Sequence, residues 1–200
     1  LKLSGEALSD KKGNAFDFNK IDAVAKQIID LTNVGIQLGV VIGGGNIWRG
    51  RSSGDMDRPQ ADNMGMLATV INSLALQDSL ERLGAGAVVV CSVEMPKIAE
   101  SFNKHKVEKY FAEGKTVICA GGTGNPFFST DTAAVLRALE IDADIILMAK
   151  AIDAVYDKDP HKYVDAVRIP RMKYKDIYEK NLQVVDMTSA TLCMEHDLDT

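Results

Sequence analysis

The sequence predicts an α/β domain built on a largely parallel sheet. Short apolar runs alternate with amphipathic stretches along the chain, which is the pattern of strands joined by crossover helices. Glycine clusters directly follow the runs ending at Ile42 and Ala120, and in parallel sheets ligands bind outside the carboxyl ends of strands. With 200 residues, 46% of them hydrophobic and 26% charged, the chain can bury the core such a sheet needs.

Taken in order, Lys2 and Leu3 form an apolar, strand-like stub. Residues 20–34 place Ile21, Val24, Ala25, Ile28, Ile29 and Leu31 at helical spacing, with Gly35 beyond them as a C-cap. Ile36–Ile42 reads as a buried strand. Residues 62–82 read as a second helix opened by Asp62 as N-cap, with an apolar stripe wide enough to be covered on more than one side. Ala87–Cys91 is a strand, residues 97–113 a Lys-rich helix stopped by Gly114, and Thr116–Ala120 another strand. Asp131–Glu140 is a short helix for which Asp131 is a candidate N-cap, and Ile145–Met148 is a further strand. The remainder reads as helix at Tyr174–Lys180, strand at Gln183–Val185 and helix at Ser189–Glu195.

Composition narrows the function classes. A net charge of −5 and a pI near 5.2 give no global field for nucleic acid or an anionic membrane surface. No apolar run is long enough to span a bilayer, and the start lacks a signal-peptide core. Cys91, Cys119 and Cys193 show no paired spacing, which suits buried thiols in a reducing, cytoplasmic compartment. His105, His161 and His196 are scattered and predict no zinc site.

Four segments carry candidate chemistry. Gly43-Gly44-Gly45-Asn46 follows a strand, and glycines there let backbone amides face an anion; Arg49 adds a guanidinium suited to phosphate oxygens. Lys2-Leu3-Ser4-Gly5-Glu6 could project an ammonium from a strand end into the same place. Gly121-Gly122-Thr123-Gly124-Asn125-Pro126-Phe127-Phe128-Ser129-Thr130-Asp131 packs amides, hydroxyls and aromatics suited to a base, a sugar and a phosphate. Ile152-Asp153-Ala154-Val155-Tyr156-Asp157-Lys158-Asp159-Pro160 reads as a strand-end loop that could contact adenine. Two common nucleotide fingerprints fail. Trp48 breaks the dinucleotide G-x-G-x-x-G pattern, and Gly114-Lys115-Thr116 leads into a strand where a Walker loop opens a helix.

Together and in this order, these segments resemble the bacterial UMP kinases of the amino acid kinase superfamily. The matching residues are Lys2 to Leu8, Val41 to Asn46, Arg49-Gly50, Asp62, Met64 to Thr69 and, most specifically, Thr123 to Asp131. The resemblance implies a three-layer α/β/α sandwich over residues 1–200, a single domain short of the family pattern at both ends. It implies transfer of the ATP γ-phosphoryl group to UMP, with Mg²⁺ carried by the ATP phosphates and no protein metal site. By position, Lys2, Leu3, Ser4, Gly5, Gly45, Arg49, Lys150, Tyr156 and Asp159 would bind ATP. Gly44, Asp62, Thr123, Gly124, Asn125, Pro126, Phe127, Phe128, Ser129 and Thr130 would bind UMP. Lys2, Arg49 and Asp131 would be catalytic, with Asp131 orienting Lys2 or the metal. A homohexamer, activation by GTP and inhibition by UTP are also implied. Two departures stand out: Ala154 replaces the usual glycine of a V-D-G-V core, and the loop after Met148 is one residue short. The alternatives are a superfamily kinase acting on glutamate, aspartate or carbamate, and a non-catalytic nucleotide-binding or storage protein on the same fold.

Overall fold

The structure, a computed structural model, describes residues 1–10, 13–49, 54–149, 154–158, 160–179 and 185–200. Its central sheet has six strands. They are β1 (Lys2–Leu3), β2 (Gly39–Ile42), β3 (Ala87–Cys91), β4 (Glu100–Ser101), β5 (Thr116–Ala120) and β6 (Met148–Ala149). The order is β4-β3-β5-β2-β1-β6, and every pairing is parallel. A separate antiparallel pair joins β7 (Val155–Tyr156) to β8 (Arg168–Ile169).

Side chains alternate across a strand, so each inner strand feeds two cores. Val40 and Ile42, Val89 and Cys91, and Ile118 and Ala120 face one way. They pack on α1 (Phe18–Asn33) through Ile21, Ala25 and Ile28, and on α2 (Arg58–Arg82) through Val70, Leu76 and Leu80. Val41, Val90, Val117 and Cys119 face the other way, onto Val107 of α3 (Lys104–Ala112) and Ala133 and Ala134 of α4 (Thr130–Glu140). The result is the three-layer α/β/α sandwich. Burial of each such Val or Ile contributes about 1.5–3 kcal/mol. Behind α4, a smaller cluster joins it to α5 (Tyr174–Glu179) and α6 (Met187–Glu195) through Val135, Ala138, Tyr174 and Cys193. All three cysteines are buried, and burial pushes the Cys119 thiol up to about 12.

Several predicted boundaries move, each for a local reason. Helix α2 begins a turn before Asp62, because Asp57 accepts from Gln60 N and Pro59 occupies the first turn, where no N–H is needed. Asp62 is therefore not an N-cap. Asp131 is not one either: Ser129 Oγ accepts from the amides of Asp131 and Thr132. The Lys-rich helix starts at Lys104 because Asn103 caps it, and the residues before it form edge strand β4. The strand before Ile42 starts only at Gly39, and the one expected at Ile145–Met148 shrinks to Met148–Ala149. Val185 lies in a bend rather than a strand, and Gln183 lies outside the described residues. Helix α2 is covered by the sheet and by α1, while Met64, Leu67, Ile71 and Leu74 of its stripe are exposed.

Candidate active site

Strand β1 lies between β2 and β6, and β2 lies beside β5. The carboxyl ends of three neighbouring strands therefore open into the Lys2–Gly5 segment, the Gly43–Asn46 loop and the loop from Gly121. Alternation along β1 sends Leu3 into the α1/α2 core and Lys2 to the opposite face, towards α4. There Lys2 Nζ meets Asp131 Oδ1 at 2.7 Å, with the side chains only 12% and 16% exposed. A pair this sheltered sacrifices hydration, and such burial often brings no net stability. Its location at a strand rim points to chemistry.

The chain then packs too closely for side chains. A Cβ added at Gly5 would lie 2.3 Å from Asn46 Oδ1 and 2.4 Å from the Gly43 carbonyl oxygen. One added at Gly44 would lie 2.8 Å from the Ala68 Cβ and 2.9 Å from the Gly65 carbonyl oxygen. Glycine at these points lets the first loop press against α2. The fully buried Asn72 of α2 locks it there, donating to the Gly43 carbonyl (2.7 Å) and exchanging amide hydrogen bonds with Asn46 (2.7 and 3.0 Å). Trp48 Nε1 donates to the Ala61 carbonyl at 2.8 Å and closes the loop onto the start of the helix.

The Gly121–Asp131 loop is held from two sides. Thr69 Oγ1 of α2 accepts from Gly121 N at 2.9 Å, and Ser92 Oγ after β3 donates to the Gly122 carbonyl at 2.9 Å. Further along, Asp62 Oδ2 accepts from Phe127 N and from Arg58 Nε, both at 2.8 Å. Phe127 has φ 74°, a left-handed conformation uncommon for a phenylalanine, and Arg58 stacks over its ring at 5.6 Å. At the far end, Ser129 Oγ donates to Asp186, and Thr132 Oγ1 lies 3.1 and 3.2 Å from the same carboxylate. Burial opposes the Asp186 charge, yet the hydrogen bonds from Ser129, Ser189 and Thr132 outweigh it and hold the carboxyl below its ordinary value.

Between α2 and this loop lies a cleft of about 120 Å³ lined by Gly44, Asp62, Thr123, Asn125, Phe128 and Thr130, among others. Its backbone amides, hydroxyls and two aromatic rings, Trp48 and Phe128, suit a nucleotide. A larger hollow of about 450 Å³ lies at the amino ends of β1 and β2, lined by Leu1, Leu38, Ile141, Leu147 and Arg137. It shares no residue with the glycine loops.

The amino acid kinase family model matches residues 1–198. The chain belongs to the amino acid kinase family. Among solved structures, UMP kinase from Bacillus anthracis is 36% identical, with a TM-score of 0.95 over 98% of this chain and 82% of that one. UMP kinase from Ureaplasma parvum is 37% identical, with a TM-score of 0.94 over 98% of this chain and 85% of that one. Aspartate kinase from Synechocystis is 15% identical, with a TM-score of 0.75 over 98% of this chain and 36% of that one, a likeness of fold alone.

Within this family fold, the residues singled out from sequence divide cleanly. Lys2, Leu3, Ser4, Gly5, Gly44, Gly45, Asp62, the segment Thr123–Thr130 and Asp131 share one rim. Arg49 reaches it too, paired there with Glu6. Tyr156 instead lies in β7, opposite Arg168 in the small two-stranded sheet. Lys150 and Asp159 lie outside the described residues. No holding role was foreseen for Asn72, Thr69, Trp48, Ser92 and Asp186, which fix the loops in place. One signal for the first two was available: Thr69, Asn72 and Ser73 are polar residues in an apolar stripe, and buried polar groups need partners. Among the described residues, no cluster of His, Cys, Asp or Glu could cage a metal, and no helix is long and apolar enough to cross a membrane.

Proposed function

We propose that this protein is a UMP kinase, moving the γ-phosphoryl group of ATP to the phosphate of UMP to give UDP and ADP. The observation that carries this reading is the meeting of Lys2, the triple glycine and the Gly121–Asp131 loop at three adjacent strand ends. The phosphate of UMP has its second pKa near 6, as in other phosphomonoesters, so it is mostly a dianion at pH 7. An oxygen of that dianion attacks the γ-phosphorus as the bond to the β,γ-bridging oxygen breaks, and no general base is needed. What remains is alignment and neutralisation of spreading charge.

In this reading Lys2 neutralises the transferring group and Asp131 holds the ammonium in place. Arg49 exchanges Glu6 for phosphate oxygens, while Ser4, Gly5 and Gly45 offer backbone amides to ATP and Leu3, at the end of β1, sets them in place. Gly44, Asp62 and Thr123–Thr130 cradle UMP, with the amino end of α4 adding partial positive charge. Tyr156, Lys150 and Asp159 are assigned to the adenosine side. Mg²⁺ fits as a passenger on the ATP phosphates, since Asp131 is a hard oxygen donor at the rim and the phosphates complete such a shell. When bound it would draw charge from the β- and γ-phosphate oxygens.

The exposed Met64, Leu67, Ile71 and Leu74 support assembly into the proposed homohexamer by burying that row. GTP activation, UTP inhibition and a cytoplasmic location belong to the same reading. Coupled ADP release tests the acceptor: UMP should exceed CMP, aspartate, glutamate and carbamate. Turnover with aspartate instead, or ATP binding with no acceptor at all, would overturn the assignment.

A further inference from the structure

Asp186 is the N-cap of α6, accepting from Ser189 N at 2.9 Å. A cap needs one acceptor, yet this carboxylate also takes hydrogen bonds from Ser129 and Thr132, which belong to the amino end of α4. The polarity of those bonds has a consequence. An ionised carboxylate only accepts, so the single Ser129 hydroxyl hydrogen must point at Asp186. The oxygen lone pairs are then committed to the amides of Asp131 and Thr132, at 3.0 and 3.1 Å. Asp131 in turn meets Lys2 at 2.7 Å. A continuous chain of contacts thus runs from α6 through the α4 cap to the ammonium at the site, with no slack hydroxyl in it.

We infer that Asp186 is a positioning residue for phosphoryl transfer: through Ser129 it fixes the first turn of α4, and hence where Asp131 holds Lys2. This rests on the kinase reading above. An asparagine in its place is nearly isosteric but can donate. Its amide would compete with the helix N–H groups for the Ser129 oxygen and free the first turn to shift. Displacement of a catalytic group by about 1 Å is enough to slow a reaction roughly 100-fold.

The test is a cycle of wild type, Asp186→Asn, Ser129→Ala and the double variant, assayed by UMP-dependent ADP release. Asp186→Asn should lower kcat roughly 10- to 100-fold with the KM for UMP little changed. Once Ser129 is alanine, the second change should cost almost nothing further. Independent, multiplying losses, or a full kcat in Asp186→Asn, would overturn the inference, because a purely structural role has no reason to run through one hydroxyl. Should Asp186→Asn fail to fold, Asp186→Ser keeps the α6 cap without the charge and takes its place. Amide hydrogen exchange supplies a readout independent of turnover: the Asp131 and Thr132 amides should exchange faster in the variant, and unchanged exchange would contradict the inference. If wild type itself ignores UMP, the kinase reading fails, and the exchange result still decides whether Asp186 holds the α4 cap.

Discussion

Lys2 on strand β1 and Asp131 in the first turn of α4 meet at 2.7 Å with little access to water. Ser129 Oγ, not the Asp131 carboxylate, accepts from the first amides of α4. The carboxylate charge can therefore be removed without unravelling the helix.

Lys2→Ala should lower kcat by at least about 10³, as expected for loss of a charge aimed at the developing transition state. Asp131→Asn should fall between this variant and wild type. Each variant leaves one member of a sheltered pair without its counter-charge, so each should also lose stability, by up to about 3–5 kcal/mol. Urea titration beside steady-state kinetics measures the two losses. Near-normal turnover in Lys2→Ala would remove it from the mechanism.

Asn72→Ala leaves the Gly43 carbonyl and Asn46 Oδ1 without their donor, while Asn46 Nδ2 keeps its bond to the Ala15 carbonyl. Orphaned buried polar groups cost about 1–3 kcal/mol each, so the variant should be destabilised by at least that much. Its KM for ATP should also rise, because the glycine loop loses its anchor to α2. Chemical denaturation and ATP titration measure the two effects separately.

Acid should weaken the junction of α4 and α6. Burial opposes ionisation of Asp186 but hydrogen bonds hold its folded pKa below the unfolded value, near 4 for an aspartate. The stability it contributes is complete above that value and is lost as pH falls through the lower, folded one. The unfolding free energy of wild type minus that of Asp186→Asn should thus be positive at pH 7 and shrink below pH 4. A gap that widens with acid would show that the sign is wrong.

The sheet was readable because its inner strands, Ala87–Cys91 and Thr116–Ala120, are continuous apolar runs that only a doubly covered parallel sheet buries. Their limits were recovered without error. Edge elements were not: Glu100–Ser101 and Arg168–Ile169 are two-residue strands without an apolar period of their own. Caps were misplaced by local competition, since Asp57 and Ser129 lie only a few residues from the equally plausible Asp62 and Asp131. At the site, sequence reading found the glycines and charges that face a ligand. It missed the holding roles of Thr69, Asn72 and Asp186, because these exist only once distant segments meet.

Backbone NMR on labelled protein tests whether one rim binds two nucleotides end to end. Titration with UMP should shift the amides of Gly44 and of Gly121–Thr130. A non-hydrolysable ATP analogue with Mg²⁺ should shift those of Leu3, Ser4, Gly5 and Gly45, and both sets should move when both ligands are present. Shifts confined to the hollow around Leu1, Arg137 and Ile141, with the glycine loops silent, would contradict the account.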